Sequence, residues 1–155
     1  MISQAVQGME DLDRSVRLRI YEQFAATGYA PTTAEMASLV GQPQVAIEES
    51  YHRLAAGRAI VLAPSTVNIW MAHPFSAVPT PYPVKTATAS YWANCAWDAL
   101  NMPALLRVDS HTVTQCLDCE ATLTMGIDAG SLISTEGVIH FAVPPRRFWD
   151  NIGFT

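Results

Sequence analysis

The sequence predicts an α+β protein. A winged-helix-like helical lobe spans 1–73, a proline-rich linker 74–83, and an α+β lobe 84–155 with a cysteine-bearing helix and a small mixed or antiparallel sheet. Three observations predict this. Apolar residues recur at helical spacing through residues 11–56. Four prolines fall between His73 and Pro83. Beyond them, apolar and polar residues alternate in short runs bounded by turn residues, the pattern of half-buried strands.

Residues 11–27 carry Leu12, Val16, Ile20 and Phe24 every fourth position, with Leu18 and Tyr21 widening the stripe. Thr27-Gly28 ends this helix. Thr32 followed by Glu35 is a capping box, in which the hydroxyl takes a free N–H and the carboxylate reaches back. A short helix follows to Val40, with Met36, Leu39 and Val40 apolar. Pro43 suits the first turn of a third helix that runs to Ala56, with Val45, Ile47, Tyr51 and Leu54 facing inward. Ala59–Ala63 and Thr66–Ala72 read as a hairpin through Pro64-Ser65. Helix, short helix, turn, helix, hairpin is winged-helix order. The acidic Glu48 and Glu49 on the third helix disfavour DNA as its partner, because they would repel phosphates.

His73 opens the proline segment, which is expected to be irregular and, being apolar at Phe75, Val78 and Tyr82, to lie against the core. Val84–Ala89 reads as a strand, and Ser90–Asn101 as a helix with Ser90 as its N-cap. Leu106–Gln115 and Glu120–Ile127 read as strands around a Cys116-Leu117-Asp118-Cys119 turn. Asp128-Ala129-Gly130 is a turn, and Val138–Val143 a buried strand that Pro144-Pro145 ends. His140 would sit inside that strand, and His52 on the surface of the third helix.

Half of the residues are hydrophobic and only 15% charged, which argues against disorder. A net charge of −5 without a cluster of Lys or Arg argues against nucleic acid. Met1–Gly8 lacks the features of a secretory leader, and no apolar run is long enough to span a membrane. The expected setting is the cytoplasm, where the three cysteines stay reduced.

The chemistry concentrates in Tyr91-Trp92-Ala93-Asn94-Cys95-Ala96-Trp97-Asp98. On a helix Cys95 and Asp98 share one face, which puts a soft nucleophile beside a proton donor. Trp92 and Trp97 offer apolar walls, and a carboxyl in such surroundings keeps its proton more readily. The plainer alternatives are a buried cysteine and a surface carboxylate. Cys116 and Cys119 admit four readings: structural thiols, half of a metal site completed by another ligand such as His111, a partner thiol for Cys95, or a redox pair.

The stretch Tyr91–Leu106 resembles the organomercurial lyase (alkylmercury lyase) family. The likeness rests on Cys95 and Asp98 after an aromatic residue, Pro103-Ala104-Leu105 soon after, Cys116 following a strand, and the apolar run at Val138–Val143 before a proline pair. It covers residues 84–155; the first lobe matches only in its helical character. The resemblance implies protonolysis of a carbon–mercury bond, with Cys95 as mercury ligand and Asp98 as proton donor, and a mainly structural role for Cys116. The family uses a second catalytic cysteine downstream, which here would fall at or beyond Thr155. The chain is accordingly expected to be a fragment or a short member of the family. No organic cofactor is implied; mercury is substrate and product, and cellular thiols carry it away. The alternatives are a non-catalytic binder of Hg, Cu or Zn through Cys95, Cys116 and Cys119, and a winged-helix regulatory module. The expected partner is a small organomercurial or a soft metal ion, with neither nucleic acid nor membrane.

Overall fold

The computed structural model describes residues 2–134 and 137–154; the sequence expectations for Met1 and Thr155 lie outside them. Three helices come first: α1 (Ile2–Thr27), α2 (Thr33–Val40) and α3 (Gln44–Ala56). Then come β1 (Val61–Leu62), β2 (Ile69–Ala72), β3 (Phe75–Ser76), β4 (Pro83–Lys85), β5 (Ser90–Ala93), helix α4 (Ala96–Leu106), β6 (Ser110–Gln115), β7 (Thr122–Asp128), β8 (Ser131–Ser134) and a 3₁₀ helix at Pro145–Asp150. The eight strands form one sheet in the order β1-β2-β3-β5-β4-β6-β7-β8, antiparallel throughout. The expected α+β class, helices first and an antiparallel sheet after, is what the chain adopts. No helix among the described residues is long and apolar enough to cross a membrane.

Local chemistry explains the first helices. Thr32 accepts from the Glu35 amide at 3.2 Å while the Glu35 carboxylate accepts from the Thr32 amide at 2.7 Å, the capping box read from sequence. Gly41 closes α2 at φ 65°. Val16, Ile20 and Phe24 of α1 pack with Ile47, Tyr51 and Leu54 of α3. Asp13 ties α1 to α3 by accepting from Ser50 at 2.6 Å and from both ends of the Arg53 guanidinium at 2.8 Å. Leu18, Leu39 and Val45, expected inward, are exposed, because only part of each helix faces the core.

The proline segment differs from the expectation of irregular chain. It contributes β3, and Pro83 opens β4, since a strand's first residue tolerates a missing N–H. Phe75 of β3 stacks on Phe24 with centroids 5.1 Å apart and contacts Tyr91 at 5.7 Å. Tyr91 donates its hydroxyl to the Ala25 carbonyl at 2.8 Å. The same buried cluster continues to Ala99 and Met102 of α4.

The second half brings three further corrections. Ser90–Ala93 is strand, not the first turn of a helix, because it pairs with β3 on one side and β4 on the other, with Tyr91 and Ala93 turned inward. Helix α4 runs past Asn101 to Leu106, holding Pro103 buried in its last turns, and ends on Arg107 at φ 56°. Val138–Val143 is not a strand: Val138 is 93% exposed, His140 is exposed, and the segment has no ladder partner among the described residues. The edge is taken by β8, which pairs with β7 through the Ala129-Gly130 turn.

Candidate active site

Cys95 is the N-cap of α4 in extended conformation (φ −151°, ψ 177°), and Asp98 is the third helical residue. The expected pairing therefore survives the shift in helix start. N-cap and N3 side chains face each other, as in a capping box with sulfur in place of the hydroxyl. Cys95 makes no capping hydrogen bond through its side chain, but its carbonyl accepts from the Ala99 amide at 3.0 Å.

Burial pushes the Cys95 thiol above its ordinary range, and the negative charge of Asp98 adds to this. The amides of Asp98 and Trp97 pull in the opposite direction, as a helix N-terminus does, and do not win. The balance favours the protonated thiol over the thiolate. Tyr82 is also raised, first by burial and then by the charge of Cys95, so its phenol lies within electrostatic reach of the sulfur.

The β2–β3 turn supplies what sequence reasoning missed. His73 Nδ1 lies 3.6 Å from Asp98 Oδ2, a contact that becomes ionic when the imidazole is protonated. Asn94 Nδ2 is 3.2 Å from the same His73 nitrogen and donates to the Phe75 carbonyl at 3.2 Å. The role of that nitrogen toward Asn94 and Asp98 follows the tautomer and charge of the imidazole. The turn is fixed by the Tyr21 hydroxyl, which donates to the His73 carbonyl at 3.1 Å, and by the Asn94 amide on the Pro74 carbonyl at 3.3 Å. Asn94 beside Cys95 was the only local signal. His73 lies 22 residues before Cys95 in the chain, and only the sheet brings the two regions together.

Aromatic rings gather near the first turn of α4 and beside His73. Trp97 is 51% exposed and meets Phe141 edge-on at 6.3 Å, and Phe141 meets Phe148 at 5.5 Å. Trp149 meets His73 in a T-shaped contact with centroids 6.3 Å apart, and Arg58 lies over the Trp149 ring at 5.3 Å. Trp92, expected as a wall, is a half-buried residue of β5.

Residues 75–155 match the family described as MerB, alkylmercury lyase. The chain belongs to the alkylmercury lyase family. Cys95, Asp98, Asn94 and Tyr82 all fall inside the matched stretch, and His73 lies just before it. Among solved structures, the chain is similar to the mercury-bound form of MerB2, with 16% identity and a TM-score of 0.56. That alignment covers 81% of this chain and 65% of the MerB2 chain, and it supports the fold. No curated protein matches the chain in sequence.

Cys116 and Cys119 stand apart from the Cys95–Asp98 pair, in the turn that joins β6 to β7. Among the described residues no three His, Cys, Asp or Glu side chains gather to hold a metal ion, so Cys95, Cys116 and Cys119 do not form one ligand set. All three thiols are free.

Proposed function

We propose that the chain is an organomercurial lyase, with Cys95 taking the mercury and Asp98 delivering a proton to the carbon. The observation that carries this is the Cys95–Asp98 pair at the N-terminus of α4, inside the stretch that matches the family. Soft thiolate sulfur is the ligand mercury prefers, and a positioned carboxyl is a suitable proton donor.

The perturbed thiol sets the proton balance. Cys95 enters protonated. As the sulfur bonds to the mercury of R–Hg⁺, its proton passes to Asp98. Asp98 then gives that proton to the carbon as the C–Hg bond breaks. The sum is R–Hg⁺ plus Cys95–SH going to R–H plus Cys95–S–Hg⁺; mercury stays divalent and no electrons are exchanged with solvent. Two small thiols then displace the ion and return the proton to Cys95. His73 and Asn94 act as positioning residues: His73 holds the Asp98 carboxylate and stabilises its charge when protonated, and Asn94 holds the His73 ring.

The test is benzene release from phenylmercuric acetate with excess thiol. Cys95→Ser and Asp98→Ala are expected to abolish it. His73→Gln slows it about tenfold to a hundredfold and changes its pH profile, as loss of a partner to a ligating group does. Wild-type protein that binds phenylmercury but releases no benzene sinks the proposal.

A further inference from the structure

The Cys116–Cys119 turn has no part in the reaction above, yet it is built in a specific way. The Cys116 amide donates to the Ala121 carbonyl at 2.9 Å, and the Glu120 amide to the Cys116 carbonyl at 2.9 Å. Glu120 takes the left-handed φ of 59° that lets the chain reverse this tightly. The reversal turns the amides of Cys119 and Asp118 toward the Cys116 sulfur, and the Cys119 side chain faces it as well. Cys116 is half-buried and Cys119 exposed, and they are not joined in a disulfide. The pair is therefore two facing thiols, open to solvent, with amides aimed at one of them.

The number of ligands decides what the pair can take. His111, considered above as a further ligand, pairs with Gly126 and Lys85 at the other end of the hairpin. Five residues of strand put it about 16 Å from Cys116. No third His, Cys, Asp or Glu joins the two thiols among the described residues. Four-coordinate zinc needs more donors than this, whereas soft d¹⁰ ions accept two thiolates. We propose that Cys116 and Cys119 form a second soft-metal site, a two-coordinate thiolate clamp for an ion such as Cu⁺ or Hg²⁺, independent of Cys95. Binding forms two S–metal bonds and releases the thiol protons to buffer, with no change of oxidation state.

Strands β5 and β6 both run antiparallel to the intervening β4, so the ends leading to Cys95 and to Cys116 lie at the same end of the sheet. The experiment therefore uses the full chain carrying Cys95→Ser, fully reduced. Cu⁺ is titrated against a coloured Cu⁺ chelator, and the mass of the complex is read by native mass spectrometry. The expected result is one Cu⁺ per monomer. Adding Cys116→Ser or Cys119→Ser weakens retention about a hundredfold or more, because a chelate becomes a single contact. Circular dichroism checks that each variant is folded; Cys119, being exposed, is the safer of the two. Failure of the Cys95→Ser protein to retain Cu⁺ overturns the clamp, as does equal retention after Cys119→Ser. One Cu⁺ per two chains at dimer mass overturns it too, in favour of thiols shared between copies. None of these outcomes depends on benzene release.

Discussion

Asp98 is only 15% exposed at its side chain, and its charge helps hold the neighbouring thiol protonated. Asp98→Asn removes that charge and leaves the burial that is the larger cause. The sign follows: a thiol pushed up has less thiolate at a given pH, so relieving part of the push increases thiolate. Iodoacetamide should then alkylate Cys95 about tenfold faster at pH 8 in the variant, the effect of losing one close like charge. Carbon–mercury cleavage should fall in the same variant, because the proton relay is gone. A nucleophile that becomes more reactive while turnover collapses separates the relay from simple activation of the thiol. An unchanged alkylation rate rules out Asp98 as the group that holds the proton there.

At the scale of elements, α1 and α3 are fastened by Asp13, Ser50 and Arg53. Burial works to raise the Asp13 carboxyl, but hydrogen bonds from Arg53 and Ser50 and the Arg53 charge outweigh it and hold it below its ordinary value of 3.8. A lowered folded-state value means stability that is present above about pH 4 and lost as pH falls toward the folded value. Asp13→Ala should cost about 2 kcal/mol at pH 7, the worth of a hydrogen bond to a charged partner. Urea unfolding should show the gap between variant and wild type closing below about pH 4; a gap constant with pH assigns the loss to packing instead. The same clamp occupies Arg53, the one Lys or Arg on α3, which weakens further the case for phosphate contact. Elements set by local chemistry were legible in the sequence: Thr32 with Glu35 opens α2, and α2 and α3 end at Val40 and Ala56 as expected. Ser90–Ala93 was misread because Tyr91 and Trp92, which favour strands, stand directly before a real helix, and only pairing on both sides decides between them. Val138–Val143 has the composition of a strand, but β8 already occupies the edge beside β7.

For the whole molecule, the pairing of Cys95 with Asp98 could be read from spacing, whereas His73 and Trp149 reach the site only through the fold, 25 residues before Asp98 and 51 after it. The segment 145–154 packs beside His73 and Trp70. Gly153 lies against the Trp70 ring, where a Cβ would come within 2.5 Å of a ring carbon. Trp149 bridges Arg58 and His73, and Phe148 continues to Phe141 and Trp97 at the first turn of α4. Gly153→Val sets a side chain against the far edge of the Trp70 indole, so the segment or the indole must shift, and displacement of the segment is the expected outcome. The bridge through Trp149 then weakens. A cation–π contact and an aromatic edge contact together are worth about 1.5 kcal/mol, which is close to tenfold in the population of the open form. Cys95 alkylation by a bulky maleimide should accordingly quicken about tenfold, with the melting temperature little changed because the core of α1, α3 and β3 is untouched. On the proposed mechanism carbon–mercury cleavage should slow, because an opened site admits water between the thiol and the carboxylate. Faster labelling with unchanged cleavage would leave 145–154 as a cover without a part in the chemistry, and unchanged labelling would show that Cys95 is reached by a path the segment does not close.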